Sequence, residues 1–364
     1  MQVAIVGLGL MGGSLGLALR ERVGATVVGF DASPEMAAVA LERGCVDRVA
    51  GSLDEACADA ELVVVATPVS AIADVVARIP GDATITDLGS TKGAVIANVP
   101  AALRARFVGG HPMCGSEAHG AAHARAELFQ SATWFLAPTV DSDAGRLAAL
   151  HGVVTAVGAR PVVIDADEHD AIVALTSHFP HVLANVLATQ VADADVNGHR
   201  PLHSAGGSFR DMTRVAGANA AIWVDILLDN RAAVLDALGE AQRRLGAVSD
   251  ALRDGDASFL ADWIAAAGAA RTESLAMAHR AAPADLHELL VTVPDRPGAI
   301  SAIAQALSAN RINIEELALS HISPERGGEL RIVVAGADNA ARAVDVLRAD
   351  GCDATASPVV GGVS

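Results

Sequence analysis

The stretch Val3-Ala-Ile-Val-Gly-Leu-Gly-Leu-Met-Gly-Gly-Ser14 decides the fold of the N-terminal part of the chain. Its first four residues are apolar, as a buried parallel strand requires. Gly7, Gly9 and Gly12 follow as G-x-G-x-x-G. The first glycine permits a tight turn, the second lets the backbone approach a pyrophosphate, and the third packs helix against strand. A helix through residues 15–19 would then direct its free N–H groups at the phosphates, so the stretch predicts a dinucleotide-binding turn.

A second apolar strand, Thr26–Phe30, ends in Asp31, about 20 residues beyond the last glycine. A carboxylate at that place accepts both ribose hydroxyls and repels a 2′-phosphate, so we predict NAD in preference to NADP. The alternative is a glycine-rich turn followed by an unrelated aspartate. The predicted cofactor-binding residues lie in the first turn and at the ends of strands: Gly7, Gly9, Leu10, Met11, Gly12, Asp31, Thr67 and Ser90.

Composition restricts the class of protein. A length of 364 residues predicts two or three domains, and a formal net charge of −17 argues against nucleic acid or an anionic membrane as partner. We expect no membrane span, because no apolar run is long and uncharged enough. A strand that begins at residue 2 leaves no room for a secretory signal, and the cysteines (Cys45, Cys57, Cys114, Cys352) show no metal-ligand or disulfide spacing. A cytoplasmic protein is expected.

The first domain is predicted to span residues 1–164, with alternating strands and helices. Strands at 62–66 and 83–86 end in Thr67 and in the loop Asp87-Leu-Gly-Ser-Thr-Lys-Gly93. Ligands of open parallel sheets lie beyond the carboxyl ends of the strands, so Thr67, Ser90 and Lys92 should line the cofactor crevice. Strands at 134–138 and 161–164, with a helix at 144–157 between them, complete the domain.

His111 belongs to the stretch Phe107-Val-Gly-Gly-His-Pro-Met-Cys-Gly-Ser-Glu117. We predict a strand that ends in a glycine-flanked turn, where the histidine is exposed and a ligand can approach closely. A lone histidine in a loop is usually solvated surface, but one at the carboxyl edge of a nucleotide-binding sheet is a candidate catalytic residue.

From residue 165 to 281 the pattern predicts a domain of helices only. His178 and His181 are three residues apart, but Pro180 interrupts the helix and no cysteine or carboxylate completes a site, so no metal is expected. Arg210 and Arg214 follow a glycine turn four residues apart, which places them on one helix face. This face is either an anion site or a solvated basic surface. Long amphipathic helices at 222–244 and 259–280 offer a dimer interface.

The C-terminal part, residues 285–360, repeats the strand and helix pattern on a smaller scale. Strands are predicted at 286–293, 310–314, 330–335 and 354–360, with helices at 299–308 and 340–348. The order β-α-β-β-α-β is typical of a ferredoxin-like α+β domain.

Three blocks of the chain together resemble the prephenate dehydrogenase family of tyrosine biosynthesis. They are the loop 87–93, the stretch 109–117, and Ser177-His-Phe-Pro-His181 with Gly207-Ser-Phe-Arg-Asp-Met-Thr-Arg214. The C-terminal unit is similar to an ACT domain, because its turn Asp295-Arg-Pro-Gly298 and the following Asn313 match the amino-acid-sensing pattern. The predicted fold is therefore α/β: a Rossmann-type doubly wound sheet, an all-helical middle domain and a ferredoxin-like ACT domain.

The resemblance implies NAD-dependent oxidative decarboxylation of prephenate to 4-hydroxyphenylpyruvate by a homodimer. It implies that His111 accepts the proton of the substrate hydroxyl, and that Ser90 orients His111 and contacts the nicotinamide. The implied substrate-binding residues are His181, Arg214, Arg210, Ser116 and Glu117. The implied regulatory residues, for L-tyrosine as effector, are Asp295, Pro297, Gly298 and Asn313.

Three alternatives stay open from the sequence. Arogenate differs from prephenate only by an amine in place of the side-chain keto group. A different dehydrogenase of Rossmann-plus-helical build would act on a hydroxy acid or an imine. A non-catalytic sensor of NAD and an amino acid would bind both without turnover.

Overall fold

The computed structural model describes residues 1–115, 118–279, 285–323 and 327–359. The chain divides into two compact units, one of Met1–His203 with Met212–Ala241 and one of Ser204–Asp211 with Gln242–Ser364. The first unit holds the large sheet and the first helices of the middle region, and the second holds the C-terminal sheet.

The first unit is built on an eight-stranded sheet in the order β3-β2-β1-β4-β5-β6-β7-β8. The strands are parallel from β3 through β6, whereas β7 runs antiparallel to β6 and β8 runs parallel to β7. Their bounds are β1 Gln2–Val6, β2 Thr26–Phe30, β3 Arg48–Val49, β4 Leu62–Val65, β5 Thr84–Asp87, β6 Phe107–Pro112, β7 Thr133–Pro138 and β8 Arg160–Val163.

Helices cover both faces of this sheet: α1 Leu10–Ala18, α2 Pro34–Glu42, α3 Leu53–Cys57, α4 Val69–Val76, α5 Gly93–Asn98 and α6 Ala144–Ala156. Alternate residues of each central strand enter opposite cores, so that Ile5 and Val64 pack on one face while Val6 and Val63 pack on the other. The predicted doubly wound Rossmann-type sheet is confirmed. Its parallel strands are apolar at successive positions because both of their faces are buried.

The middle region begins with one long helical run made of α7 (Ala166–Val173), a π-helical turn (Ala174–His178) and α8 (Phe179–Asp193). The predicted interruption at Pro180 is wrong, because the proline lies in the first turn of α8 and the helical run continues through it. The run 166–193 is, by length and composition alone, apolar enough to cross a bilayer, contrary to our expectation.

Four further helices follow: α9 Gly207–Thr213, α10 Ala220–Asp229, α11 Arg231–Asp254 and α12 Ala257–His279. The helix predicted over 222–244 is divided at Asn230, whose backbone leaves the helical conformation (φ −98°, ψ 28°). Arg214 lies in a turn just beyond the end of α9, so the arginine pair is not on one continuous helix.

The C-terminal sheet has the antiparallel order β10-β11-β9-β12. Its elements are β9 Leu286–Val293, α13 Ala299–Ala309, β10 Glu316–Ser323, β11 Gly327–Ala335, α14 Ala337–Ala349 and β12 Asp353–Pro358. Both helices pack on an aliphatic core that includes Val291, Leu307 and Ile332. The ferredoxin-like order is confirmed, but the strand predicted at 310–314 is wrong. Those residues form a loop in which Arg311 has a positive φ of 56°.

Candidate active site

The glycine turn after β1 has the geometry that a dinucleotide phosphate needs. Gly7 adopts φ +97°, and a Cβ there would lie 2.6 Å from the carbonyl oxygen of Ala66. A Cβ on Gly12 would collide with the carbonyl oxygen of Gly7, so this glycine permits the close packing of α1 on β1. A Cβ on Gly9 would meet nothing within 4 Å. The open face of the turn is therefore at Gly9, at the start of α1 beside the half-buried Leu10 and Met11.

Asp31 is fixed at the end of β2 by two backbone donors. Its Oδ2 accepts the N–H of Leu8 at 2.7 Å, and its Oδ1 accepts the N–H of Ser33 at 2.8 Å. At the next strand end, the buried Oγ1 of Thr67 has no hydrogen-bond partner within the described residues. An open glycine turn, an anchored carboxylate and an unpaired hydroxyl at one sheet edge fit a dinucleotide with unmodified ribose hydroxyls, as NAD has.

Lys92 does not line this crevice, and that prediction is wrong. Its side chain is fully buried and its ammonium group pairs with the equally buried carboxylate of Asp87. Asp87 also accepts the N–H of Gly89 at 2.8 Å and the N–H of Gly110 at 3.0 Å. The ion pair therefore fixes the loop 88–92 to β6, and leaves Ser90 half-buried within that loop.

His111 lies within β6, and its residue is only 9% exposed. Our expectation of an exposed histidine in a turn is therefore wrong. The two glycines before it serve packing of the sheet: a Cβ on Gly110 would lie 2.5 Å from the carbonyl oxygen of Asp87, and one on Gly109 would lie 3.0 Å from Lys92 Cδ. They let β6 approach the loop after β5.

His111 is the first member of a buried hydrogen-bonded chain. Its Nδ1 lies 2.8 Å from Nε2 of His169, and Nδ1 of His169 lies 2.8 Å from Oδ1 of Asp170. Both carboxylate oxygens of Asp170 also accept backbone N–H groups at 2.8 Å, from Lys92 and Gly93. The family resemblance implies Ser90 as the residue that orients His111, and no motif in the sequence points to His169 or Asp170. No spacing links these residues to His111, which lies 58 positions before His169.

Burial makes His111 a weakly basic group. Its pKa lies well below the ordinary value of 6.5, first because of burial and then because of the nearby charges of His169, Lys92 and His178. For Asp170, burial alone would raise the pKa. The bonds from His169 and from two backbone N–H groups outweigh burial and lower it. The site therefore holds a neutral imidazole and an ionised carboxylate at neutral pH.

Asn230, the residue that ends α10, connects this chain to the helical run. Its Nδ2 donates to the carbonyl oxygen of Asp170 at 2.8 Å and lies 3.1 Å from Nδ1 of His178. Burial lowers the pKa of His178 to about 4. A second hydrogen bond joins Thr91 to Asp229, so α10 is fixed to the loop after β5 as well.

His181 lies on α8 in a different environment. Its Nδ1 is 3.3 Å from the carbonyl oxygen of Ser177, and its ring stacks on Trp223 with centroids 3.4 Å apart and planes 22° apart. Burial lowers its pKa, and the charge of Arg214 lowers it further. The structure thus brings together His181 and Arg214 of the predicted substrate-binding set.

The structure shows less about the other three predicted substrate-binding residues, Arg210, Ser116 and Glu117. Arg210 lies on α9 in the second unit, where its guanidinium donates to the carbonyl oxygen of Ala205 at 3.2 Å. Ser116 and Glu117 lie outside the described residues. In the parts of the chain that the structure describes, no three His, Cys, Asp or Glu side chains are grouped to hold a metal ion.

A Rossmann-type nucleotide turn with a buried histidine at the same sheet edge, followed by a helical region, defines an NAD-dependent dehydrogenase. Comparison with known proteins identifies the family. Residues 15–163 match the nucleotide-binding domain of prephenate dehydrogenase, residues 165–266 match its dimerization domain, and residues 287–352 match the ACT domain. The chain belongs to the prephenate dehydrogenase family.

Individual relatives agree with this assignment. The prephenate dehydrogenase of Bacillus subtilis (strain 168) is 34% identical over 355 residues, which is 95% of each chain. The crystal structure of prephenate dehydrogenase from A. aeolicus, in complex with hydroxyphenyl propionate and NAD+, has a TM-score of 0.71 at 28% identity. The match covers 75% of this chain and 98% of that one. Synechocystis arogenate dehydrogenase has a TM-score of 0.68 at 27% identity, over 75% and 100% of the two chains.

Proposed function

We propose that this enzyme oxidises prephenate with NAD+ in the cytoplasm, releasing carbon dioxide and 4-hydroxyphenylpyruvate. The observation that carries the proposal is the neutral, buried His111 at the carboxyl edge of the sheet, the edge at which the open nucleotide turn also lies, and on the same unit as His181 and Arg214. A base that is neutral at working pH can accept a hydroxyl proton during oxidation.

The reaction needs a base at the ring carbon that carries the hydroxyl group. As hydride leaves that carbon, the hydroxyl proton passes to Nε2 of His111, and loss of carbon dioxide then makes the ring aromatic. The turn at Gly7, Gly9 and Gly12, together with Asp31, would hold NAD+, which would supply the hydride acceptor. In this proposal Thr67 and Ser90 contact the cofactor, and Ser90 lies within the loop that the Asp87–Lys92 ion pair holds.

The substrate carries two carboxylates in a chain of formal charge −17, so a local concentration of cations is required. Arg214 and His181 supply one such place. A bound carboxylate would favour the protonated form of His181 and so act against the burial that lowers its pKa. The family resemblance also implies Arg210, Ser116 and Glu117 as substrate-binding residues.

Arogenate is the second candidate substrate, because a structural relative is an arogenate dehydrogenase. The deciding experiment measures NADH formation by the pure enzyme with prephenate and with arogenate in parallel. We expect the larger kcat/KM with prephenate. A larger value with arogenate would reverse the substrate assignment. Tight NAD+ binding without NADH formation from either compound would favour a non-catalytic sensor of NAD and an amino acid.

We propose a homodimer formed through the middle region, which matches a dimerization domain. Exposed apolar side chains on its helices support the proposal: Leu175, Val186, Leu228, Leu235, Leu245, Leu252 and Ile264 are each more than half exposed in the single chain. A stable monomer at micromolar concentration in sedimentation velocity would contradict it.

The ACT domain is proposed to bind L-tyrosine and to lower the activity. The turn between β9 and α13 supports this proposal, because Gly298 adopts φ +89° and opens backbone groups beside Asp295 and Pro297. Asn313, in the loop before β10, donates to Glu315 at 2.8 Å and is the side-chain candidate for the ligand. If the two sites are coupled, prephenate must weaken tyrosine binding by the same factor.

Tyrosine resembles the product and could also compete at the active site, so inhibition alone decides nothing. Asn313→Ala separates the two cases, since the ACT domain supplies no group to the chemistry. We expect the variant to keep kcat and KM for prephenate and to lose most of its sensitivity to tyrosine. Full sensitivity in this variant would assign the inhibition to the active site.

A further inference from the structure

The chain His111–His169–Asp170 fixes where the protons lie. Asp170 is an ionised acceptor, so Nδ1 of His169 carries a proton and donates to it. In a neutral His169 the other ring nitrogen, Nε2, is then an acceptor. It lies 2.8 Å from Nδ1 of His111, so His111 must donate there and carries its proton on Nδ1. Nε2 of His111 is left with a lone pair.

Burial holds this arrangement rigid. His169 is fully buried, and its ring packs perpendicular to the ring of Phe135 with centroids 5.3 Å apart. Asp170 is held from three sides, by the N–H groups of Lys92 and Gly93 and, at its carbonyl, by Asn230. Neither ring can turn without leaving a buried polar atom unpaired, which is costly.

We propose that His169 and Asp170 are positioning residues that hold His111 in the tautomer with a free Nε2 and share the positive charge of the proton that it accepts. The proposal rests on the proposed function, in which His111 takes the proton of the substrate hydroxyl. As Nε2 of His111 gains that proton, the proton on Nδ1 moves toward Nε2 of His169. The positive charge then lies next to the carboxylate of Asp170. Loss of carbon dioxide leaves its electron pair in the ring and makes the oxygen a phenolate. That oxygen takes the proton back from Nε2 of His111, so both imidazoles return to their starting state.

The sign of the effect on basicity follows from the groups that face the two rings. Lys92, with its partner Asp87, faces them from the loop after β5, and His178 and Asp170 face them from the helical run. Lys92 disfavours a charged His111, and so do His169 and His178 when they are themselves protonated. A neutral His169 favours it, because its Nε2 accepts the Nδ1 proton of His111 and the carboxylate of Asp170 stabilises the charge that moves there. His169 and Asp170 together form a relay for this charge. Removing the relay makes His111 a weaker base, so the acid limb of the pH profile of kcat moves to lower pH.

Two variants remove the relay in different ways. Asp170→Asn removes the charge, and His169→Phe keeps an aromatic ring on Phe135 but removes both ring nitrogens. For each we expect kcat to fall about 10²-fold with KM within about threefold, and the acid limb to move to lower pH. His169→Phe leaves the bonds from Asp170 to the loop intact, so agreement between the variants excludes a loop disturbance.

Val173→Ala is the matched control, because Val173 is fully buried on the same helix as Asp170 and its aliphatic side chain has no group that could hydrogen-bond to His169 or Asp170. It should lower the melting temperature and leave kcat and the pH profile unchanged. Folded His169→Phe and Asp170→Asn enzymes with wild-type kcat and pH profiles would overturn the proposal.

Nitrogen-15 NMR of histidine-labelled wild-type enzyme tests the tautomer without any variant. We expect His111 to be protonated at Nδ1, and a proton at Nε2 instead would overturn the proposal even if both variants failed to fold. This readout does not depend on the substrate. Failure of the proposed function would show separately, as absence of NADH formation from prephenate.

Discussion

His111 and His181 are both partly or fully buried histidines of one unit, and they differ in what holds them. His111 lies in a strand, and its ring is hydrogen-bonded to another side chain, His169. His181 lies on α8, where its Nδ1 is close to the carbonyl oxygen of Ser177 in the preceding π-helical turn and its ring stacks on Trp223. His111 is held by a buried chain of hydrogen bonds, whereas His181 is held by one hydrogen-bond contact within its own helical run and by stacking on Trp223 of α10.

The difference separates chemistry from recognition. A base that must be neutral and in one tautomer benefits from a rigid sheet and a buried network. A group that contacts a carboxylate benefits from a partly open place where it can gain a proton when the substrate arrives. Substitution in the sheet region should therefore change kcat, and substitution in the helical region should change KM.

The largest effect is expected for His111→Asn. Without the base, kcat should fall about 10²- to 10⁴-fold, while NAD+ binding and the melting temperature stay near wild type. In the wild type, the acid limb of kcat should lie below pH 6.5, because burial lowers the pKa of His111. Steady-state kinetics over a pH series provide both measurements.

His151→Asn is the control for that substitution, since His151 is exposed on α6. It should behave as wild type throughout. If His111→Asn stayed within a few-fold of wild type, the assignment of His111 as the base would be wrong and the comparison with His181 would lose its meaning.

A smaller effect is expected for Arg214→Ala, and it should appear in KM instead of kcat. Arg214 is exposed in the free enzyme, so loss of its contact with a substrate carboxylate should cost about 2 kcal/mol, a 10- to 100-fold rise in KM with kcat little changed. Arg214→Lys should recover part, because lysine cannot form two parallel bonds. Arg200→Ala, an exposed arginine of the same unit, is the control. An unaltered KM in Arg214→Ala would move the carboxylate site elsewhere.

The smallest effect is expected on thermal stability and comes from His178. Its ring contacts Asn230, which is bonded to Asp170 near His111, and also Trp223, which stacks on His181. Its folded pKa of about 4 is below the unfolded value of about 6.5, so its contribution to stability is present above pH 6.5 and is lost as the pH falls toward 4. His178→Gln should reduce the acid loss of melting temperature by about 2 °C per pH unit in that range. Equal pH slopes in thermal melts of the variant and the wild type would show that His178 is not buried in its neutral form.

Local sequence patterns predicted most of the fold. Ser33 stands directly before Pro34, an order typical of a helix start, and it caps α2 with its hydroxyl accepting the N–H of Met36 at 3.2 Å. The errors fall where long-range contacts override the local pattern. Asn230 ends a helix that amphipathic spacing would continue, because its amide bonds to Asp170 and His178.

The site shows the same division. The glycine turn, Asp31 and His111 stand in motifs whose residues are close in sequence, and could be found there. His169 and Asp170 could not, because only the packing of α7 against the loop after β5 brings them to His111. The prediction that Lys92 lines the cofactor crevice is wrong for a related reason. A lysine near a strand end is usually exposed, and the sequence does not reveal that Lys92 is buried in an ion pair with Asp87.

The stack of Trp223 on His181 has an optical consequence. The chain has three tryptophans and no tyrosine, so its intrinsic fluorescence comes from Trp134, Trp223 and Trp263. Trp134 is buried in the sheet domain, whereas the indole of Trp223 lies 3.4 Å from an imidazole that gains positive charge on protonation. A cation at that distance quenches indole emission by accepting an electron from the excited ring. The emission of Trp223 therefore reports the protonation state of His181 without any added dye.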